Sequence, residues 1–217
     1  MIEINNLSKS YGKSKVLENL ILSIPSGKIT GIVGANGAGK STLFKCIHGT
    51  ETFEGSITSE FENLRIKTGL LETNPVMLSM ITGEEYLMLH CNARKLPIPD
   101  LDELNMFDLP LKKFASTYST GMKKKLALMA LLIQDNEVFI LDEPFNGVDL
   151  QSNLKLKSTF LKLREEGKTV LISSHIFSTL SEICDEIHLI KDGGISMSAD
   201  KSTYEELETT LSQTAES

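Results

Sequence analysis

The segment GANGAGKST constrains the fold more than any other part of this 217-residue sequence. It follows an apolar run, ITGIV, and it precedes the run LFKCI, whose apolar residues have the spacing of a helix. A GxxxxGK(S/T) pattern between a strand and a helix is typical of a phosphate-binding loop, or P-loop, in which backbone N–H groups surround a phosphate. A glycine-rich turn that precedes a helix by chance is the alternative, and the full match disfavours it.

The P-loop predicts a nucleoside triphosphate as ligand, with Mg²⁺ as its counterion. We expect Lys40 to reach the β- and γ-phosphate oxygens and Ser41 to offer its hydroxyl to the metal. The candidate nucleotide contacts are Gly34, Ala35, Asn36, Gly37, Ala38, Gly39, Lys40, Ser41 and Thr42.

Three further polar residues end buried-type strands, where ligands bind open α/β sheets. Asp142 and Glu143 follow VFIL, and His175 follows TVLISS. We expect Asp142 to hold Mg²⁺, Glu143 to polarise the attacking water, and His175 to hydrogen-bond the γ-phosphate. The alternatives are a solvated acid pair and a structural histidine, and the other three histidines are assigned to the structural class.

Composition excludes several classes of protein. The net charge of −7 argues against a general nucleic-acid binder, so no nucleic-acid partner is expected. The longest apolar run, residues 126–133, is far shorter than the roughly 20 residues of a membrane span. The N-terminus lacks the features of a signal peptide, which predicts a cytoplasmic location. The three cysteines are widely spaced, which predicts buried thiols and no disulfide framework.

The chain predicts an α/β fold: a P-loop NTPase core with a mostly parallel sheet, an N-terminal antiparallel β subdomain and an inserted α-helical subdomain. The first 34 residues are rich in strand patterns, and strands alternate with helices after residue 135. Residues 1–217 are expected to form one domain. Its core comprises 1–72 and 135–200, its helical subdomain 73–134, and its C-terminal helix and tail 201–217.

The helix that begins after Ser119 has an unusual charge at its start. Ser119 is a good N-cap, and three lysines follow in its first turns, before LALMALLI. A helix N-terminus already carries about half a positive charge, so each exposed cation there costs ~0.3–1 kcal/mol. The pattern indicates an anion at this end, and the adjacent sequence does not supply one.

Taken in order, GANGAGKS, YSTGM, FILDEP, NGVD and SSH resemble the motifs of the ATP-binding subunit of an ABC transporter, over about residues 2–195. The resemblance implies ATP as the nucleotide, Tyr11 stacked on adenine with Val16 beside it, and His175 as the switch histidine. It implies that residues 146–149, with Asp149, cross to a second subunit. It also implies that the signature segment contacts ATP held by that subunit; its residues are Ser119, Thr120, Gly121 and Met122.

The sequence departs from the family pattern at several of these positions. Glu72 resembles the residue, usually glutamine, that senses the metal and the water, which implies a catalytic and metal-binding role and favours an exporter. Thr120 and Met122 replace a glycine and a glutamine of the signature. Lys125 matches a basic residue that the family often carries, while Lys123 and Lys124 are expected to form a solvated face.

The resemblance implies a motor subunit that dimerises around two ATP molecules, with a second copy or a homologous subunit. It would drive a separate transmembrane permease from the inner face of the cell membrane. Residues 78–88 would form the docking surface, and the alternative is that their apolar side chains belong to the core of the helical subdomain. The alternatives are a soluble ABC-type ATPase that regulates another process, or another P-loop enzyme such as a small-molecule kinase or GTPase. The sequence contains no NKxD motif of the GTPase kind.

Overall fold

Nine strands and eight α-helices make up the part of the chain that the computed structural model describes, residues 1–215. Residues 216 and 217, the end of the predicted tail, lie outside the described residues. The strands are β1 Ile2–Tyr11, β2 Ser14–Ile24, β3 Ile29–Val33, β4 Glu54–Ser59, β5 Thr68–Leu71, β6 Val138–Asp142, β7 Thr169–Ser174, β8 Glu186–Lys191 and β9 Gly194–Asp200. The helices are α1 Lys40–His48, α2 Leu64–Lys67, α3 Gly83–Ala93, α4 Leu101–Leu104, α5 Thr120–Ile133, α6 Leu150–Glu165, α7 Phe177–Ser181 and α8 Tyr204–Ala215.

A six-stranded sheet forms the centre of the fold, in the order β5-β6-β7-β3-β8-β9. Its strands are parallel except β9, which runs antiparallel to β8. Every residue of β3, β6 and β7 is buried, because strands in the middle of such a sheet are covered on both faces and need apolar side chains on each. The prediction of a mostly parallel α/β core is confirmed.

A second, three-stranded antiparallel sheet has the order β2-β1-β4, which confirms the predicted N-terminal antiparallel subdomain. Helix α1 lies between the two sheets. Its buried Leu43 and Phe44 share one hydrophobic cluster with Ile4 of β1 and Ile140 of β6. This packing fixes the helix N-terminus at the carboxyl end of β3.

The insert between β5 and β6 is helical, with α3, α4 and α5 and a short 3-10 turn at Ala115–Thr117. Helix α3 opens with the capping box that TGEE predicts: the Thr82 hydroxyl accepts from the Glu85 N–H at 3.2 Å, and the Glu85 carboxylate accepts from the Thr82 N–H at 2.7 Å. The three cysteines are buried free thiols, as predicted. The proposed division at residues 72, 134 and 200 stays a prediction.

Parallel strands bring their carboxyl ends to one edge of the sheet, and that edge collects the residues predicted to act. The P-loop follows β3, Glu143 follows β6, His175 follows β7, and Thr73 lies just beyond β5. None of the helices in residues 1–215 is long and apolar enough to cross a membrane.

Candidate active site

The P-loop presents a helix N-terminus without a side-chain cap. Gly39 is the N-cap residue of α1 and has φ +106°, a conformation that L side chains rarely adopt. Gly39 has no side chain that could accept a hydrogen bond from the first N–H groups of α1. These donors and the positive end of the helix dipole therefore suit an anion such as a phosphate.

Lys40 folds back over the P-loop and is nearly buried. Its Nζ donates to the carbonyl oxygens of Gly34 at 2.7 Å and Ala35 at 3.1 Å. It also lies 3.6 Å from Oε1 of Glu143. The ammonium therefore stands between the loop and the acid pair, where it can meet the terminal phosphates of a nucleotide.

Asp142 is held by three hydroxyl groups from three different segments. Its Oδ2 accepts from Ser41 at 2.5 Å and from Thr73 at 2.6 Å, and its Oδ1 accepts from Ser173 at 2.6 Å. These donors reach it because β6 and β7 pair in register, Asp142 opposite Ser173, and because α1 begins and β5 ends beside them. The group consists of hard oxygen atoms, the ligands that Mg²⁺ prefers.

Glu143 has one carboxylate oxygen engaged and one unpaired. Its Oε2 lies 3.0 Å from Nδ1 of His175, whereas Oε1 is buried and has no hydrogen-bond partner among the described residues. The 3.6 Å between Oε1 and Lys40 Nζ is within ion-pair range but too long for a hydrogen bond. Glu143 is only 8% exposed. A buried carboxylate oxygen without a donor is ready to accept a hydrogen bond from a water molecule or a substrate hydroxyl.

Lys40, Glu143 and His175 line one cleft of about 700 Å³, and Asp142 lies behind it, hydrogen-bonded to the lining residues Ser41 and Thr73. Lining residues predicted from the sequence as nucleotide or catalytic residues are Val16, Asn36, Gly37, Gly39, Lys40, Ser41, Thr42, Glu143 and His175. Asn146, predicted as the start of the segment that crosses to a second subunit, also lines the cleft, and the sequence did not single out Thr73 and Asn74. Tyr11 does not line the cleft; it lies at the end of β1, opposite Ser14, is 46% exposed, and has Lys9 Nζ 4.8 Å from its ring centre.

Glu72 does not line the cleft, and its assignment to the catalytic and metal site stays a prediction. The Glu72 carboxylate is partly exposed and pairs with Lys45 of α1 at 3.3 Å. Neighbouring residues at a strand end point in opposite directions, and it is Thr73 that turns towards the acid pair. The signal that could have found Thr73 is the end of β5, since Leu71 is buried and the chain bends after it.

The signature segment begins α5 at a distance from the cleft in this chain. The Ser119 hydroxyl accepts from the Met122 N–H at 3.2 Å, which confirms the predicted N-cap. Ser119 and Thr120 are exposed, Met122 packs against the core, and none of these residues lines the cleft described above. Gly121 is buried: a Cβ there would lie 2.5 Å from the Gly147 carbonyl oxygen, so its lack of a side chain serves packing within the chain.

The three lysines of α5 have different environments. Lys125 donates to Asp149 at 2.6 Å, and this contact is the main reason why the pKa of Asp149 lies below its usual range; the N–H and hydroxyl of Ser152 also contribute. Asp149 is the N-cap of α6 and does not line the cleft. The prediction that Lys124 is solvated is wrong, because it is 3% exposed and donates to two carbonyl oxygens of the loop after β6.

The site fits a nucleotide with Mg²⁺. The uncapped N-terminus of α1 and Lys40 suit phosphates, and the oxygen atoms of Ser41, Asp142 and Thr73 suit the metal. The unpaired Oε1 of Glu143 suits a water molecule beside the terminal phosphate.

Comparison with known proteins supports this interpretation. Residues 17–146 match the family model described as ABC transporter. The chain is 34% identical over 206 residues to the bacitracin transport ATP-binding protein BcrA of Enterococcus faecalis, covering 89% of this chain and 67% of BcrA. It is 32% identical over 219 residues to the lantibiotic transport ATP-binding protein SrtF of Streptococcus pyogenes, covering 96% of this chain and 94% of SrtF. A solved ATP-binding subunit of an ABC transporter superposes with TM-score 0.86 at 25% identity, covering 98% of this chain and 99% of that one.

Proposed function

The chain belongs to the ABC transporter family, as an ATP-binding subunit that hydrolyses ATP, and we propose that the reaction takes place in the cleft around Lys40, Asp142 and Glu143. The observation that carries this proposal is the unpaired, buried Oε1 of Glu143, 3.6 Å from the P-loop lysine. An oxygen in this position accepts a proton from water that attacks the γ-phosphate.

Each neighbour of Glu143 has a distinct task in this proposal. His175 holds Oε2, so that the carboxylate presents Oε1 to the water. Lys40 and the N–H groups at the start of α1 bind the phosphates and stabilise the charge that develops there. Ser41 and Asp142 would hold Mg²⁺, which supplies positive charge to the phosphate oxygens when it is bound. Thr73 orients Asp142 through its hydroxyl.

A second subunit would complete the site. The N-terminus of α5 carries Ser119 in an exposed position outside its own cleft, so an anion that it binds must come from another chain. We infer a head-to-tail pair, with a second copy or a homologous subunit, in which Ser119 and the N–H groups of Thr120 and Gly121 cover the partner's γ-phosphate. Tyr11 and Val16 would contact the adenine, and Asp149 would lie at the subunit boundary.

The transport partner is a membrane permease, and we propose a cytoplasmic chain bound to the inner face of the membrane. The loop between β5 and α3 exposes Val76, Leu78 and Met80, and Met80 is 76% exposed. Further along, Tyr86 and Leu87 are buried in the core, so the predicted docking region narrows to this loop and the exposed face of α3. Because the loop begins at Thr73, it would connect the permease to the acid pair.

We infer that transport is outward and that the cargo is bacitracin, a lantibiotic or a related compound. The support comes from the similar proteins, which are named for transport of bacitracin and of lantibiotics. In the sequence, Glu72 also favours an exporter, although this residue does not line the cleft.

Glu143→Gln tests the function. The amide keeps the size of the side chain but cannot take a proton, so we expect ATP to bind as tightly as in the wild type while turnover falls ~10²–10⁴-fold. Purified variant and wild type would be compared by equilibrium ATP binding and by phosphate release. In cells that carry the chain with its permease, wild type should raise tolerance to bacitracin or a lantibiotic, and the variant should not.

The control is Glu72→Gln, the same change at the exposed carboxylate. Equal phosphate release by Glu143→Gln and wild type would remove Glu143 from its role. A further test is affinity capture of the chain from detergent-solubilised membranes. If hydrolysis is normal and no permease is recovered, a soluble ABC-type ATPase would be favoured instead.

A further inference from the structure

Lys124 places a buried ammonium group beneath the catalytic loop. It lies in the first turns of α5, five residues after Ser119, and it is 3% exposed. Its Nζ donates to the carbonyl oxygen of Glu143 at 2.7 Å and to that of Asn146 at 2.8 Å. Burial lowers the pKa of this amine, while the carboxylates of Glu143 and Asp142 act in the opposite direction. A side chain this costly to bury needs a structural or functional reason.

The backbone that Lys124 contacts has an unfavourable conformation. Glu143 has φ +48°, in the left-handed region that non-glycine residues rarely adopt. Three hydrogen bonds hold it there: its N–H donates to Ser173 Oγ at 3.0 Å, and its carbonyl accepts from Lys124 and from the Asn146 N–H at 3.2 Å. Such a conformation persists only when its surroundings enforce it, and it decides where the Glu143 carboxylate points.

The same helix meets the loop at a second point. Gly121 packs so closely on Gly147 that a Cβ would lie 2.5 Å from the Gly147 carbonyl oxygen. The N-terminal turns of α5 and residues 143–147 therefore have two contacts, one polar through Lys124 and one steric through Gly121. A shift of α5 along or about its axis must move this loop, since packed interfaces transmit displacement.

We propose that Lys124 is a positioning residue that couples the two ATP sites of the dimer, an inference that rests on the function proposed above. Within one chain, the N-terminus of α5 covers the partner's ATP, while Lys124 on the same helix holds Glu143 beside the chain's own ATP. Closure of one site thus sets the geometry of the base in the other. Lys124 acts through Glu143 and does not contact the nucleotide.

The test compares Lys124→Met with Lys124→Gln. Methionine fills similar space without a donor, whereas the glutamine side chain keeps an NH2 group with two donors for the carbonyl oxygens. We expect Lys124→Met to lower kcat by about 10²-fold, the usual effect of a small misplacement of a catalytic group, with unchanged ATP affinity of the isolated subunit. We also expect wild type to hydrolyse ATP with a Hill coefficient above 1 and Lys124→Met with a Hill coefficient close to 1. Lys124→Gln should restore much of both kcat and the Hill coefficient.

Lys123→Met is the matched control, since Lys123 lies on the same helical turn and its side chain makes no hydrogen bond or ion pair among the described residues. A purely structural role for Lys124 would lower the melting temperature and leave kcat per folded molecule and the Hill coefficient unchanged, which would overturn the inference. A Hill coefficient of 1 in wild type would also overturn it. Absence of ATP hydrolysis by wild type would instead contradict the proposed function, so the two failures are distinguishable.

Discussion

At the scale of single residues, the three hydroxyls on Asp142 decide how its carboxylate is oriented. Thr73→Val removes one of these donors and keeps the shape of the side chain. Loss of a group that orients a metal ligand typically reduces metal affinity or activity 10–100-fold. We therefore expect Thr73→Val to raise the Mg²⁺ concentration that half-saturates ATP hydrolysis by about 10-fold or more, measured by phosphate release across a Mg²⁺ titration.

Two comparisons make this prediction specific. Thr73→Ser keeps the hydroxyl and should restore wild-type Mg²⁺ dependence. Glu72→Gln should leave it unchanged, because Glu72 pairs with Lys45 and does not line the cleft. If Glu72→Gln changed the Mg²⁺ dependence strongly and Thr73→Val did not, Glu72 rather than Thr73 would act at the metal site.

The sequence identified most of the site at this scale because its motifs have fixed spacing. The P-loop, Asp142 and Glu143 were located by pattern, and the cleft contains most of them. The difference between Glu72 and Thr73 could not be settled in this way, since adjacent side chains at the end of β5 point to opposite sides. Ser173 was missed because its role depends on the register between β6 and β7, which no local pattern encodes.

At the scale of elements, the start of α3 depends on its capping box. The Thr82 side chain accepts from the Glu85 N–H, and Glu85 returns the bond to the Thr82 N–H. Replacing a threonine N-cap with alanine costs ~0.5–2 kcal/mol. We expect Thr82→Ala to lower the free energy of unfolding by about 1 kcal/mol, measured by urea denaturation.

The control for this change is Ser79→Ala, three residues earlier on the exposed loop. It should alter the unfolding free energy by less than about 0.5 kcal/mol, as surface substitutions usually do. Equal effects of the two changes would mean that the capping box does not stabilise α3.

Helix α5 shows what element-level patterns can and cannot predict. Its start at Ser119 was predicted from capping preferences and is confirmed. The prediction that Lys124 belongs to a solvated face is wrong, because this side chain is buried. Lys124 lies four and seven residues before the buried Leu128 and Leu131, so it shares their face of the helix. Helical spacing could have indicated this burial, whereas the carbonyl partners on the loop after β6 depend on the tertiary fold.

At the scale of the whole molecule, the question is whether Ser119 acts on its own ATP or on the partner's. Gly121 is a poor position for this test, because any side chain there would strike the Gly147 carbonyl of its own catalytic loop. Ser119→Asp is better, since aspartate is as good an N-cap as serine and should keep α5 intact. Its negative charge would oppose a phosphate at that end of the helix, so we expect the variant alone to lose most of its hydrolysis.

Mixing Ser119→Asp with Lys40→Ala should restore activity if the signature acts in trans. In a mixed dimer the intact P-loop of one chain meets the intact Ser119 of the other, which gives one complete site. Random pairing in a two-fold dimer makes about half of the dimers mixed, so recovery of up to about a quarter of wild-type phosphate release is expected. A mixture of Lys40→Ala and Glu143→Gln should stay inactive, because every site then lacks either its lysine or its base. Equal rates from the two mixtures would show that Ser119 serves its own chain, and the head-to-tail arrangement would have to be abandoned.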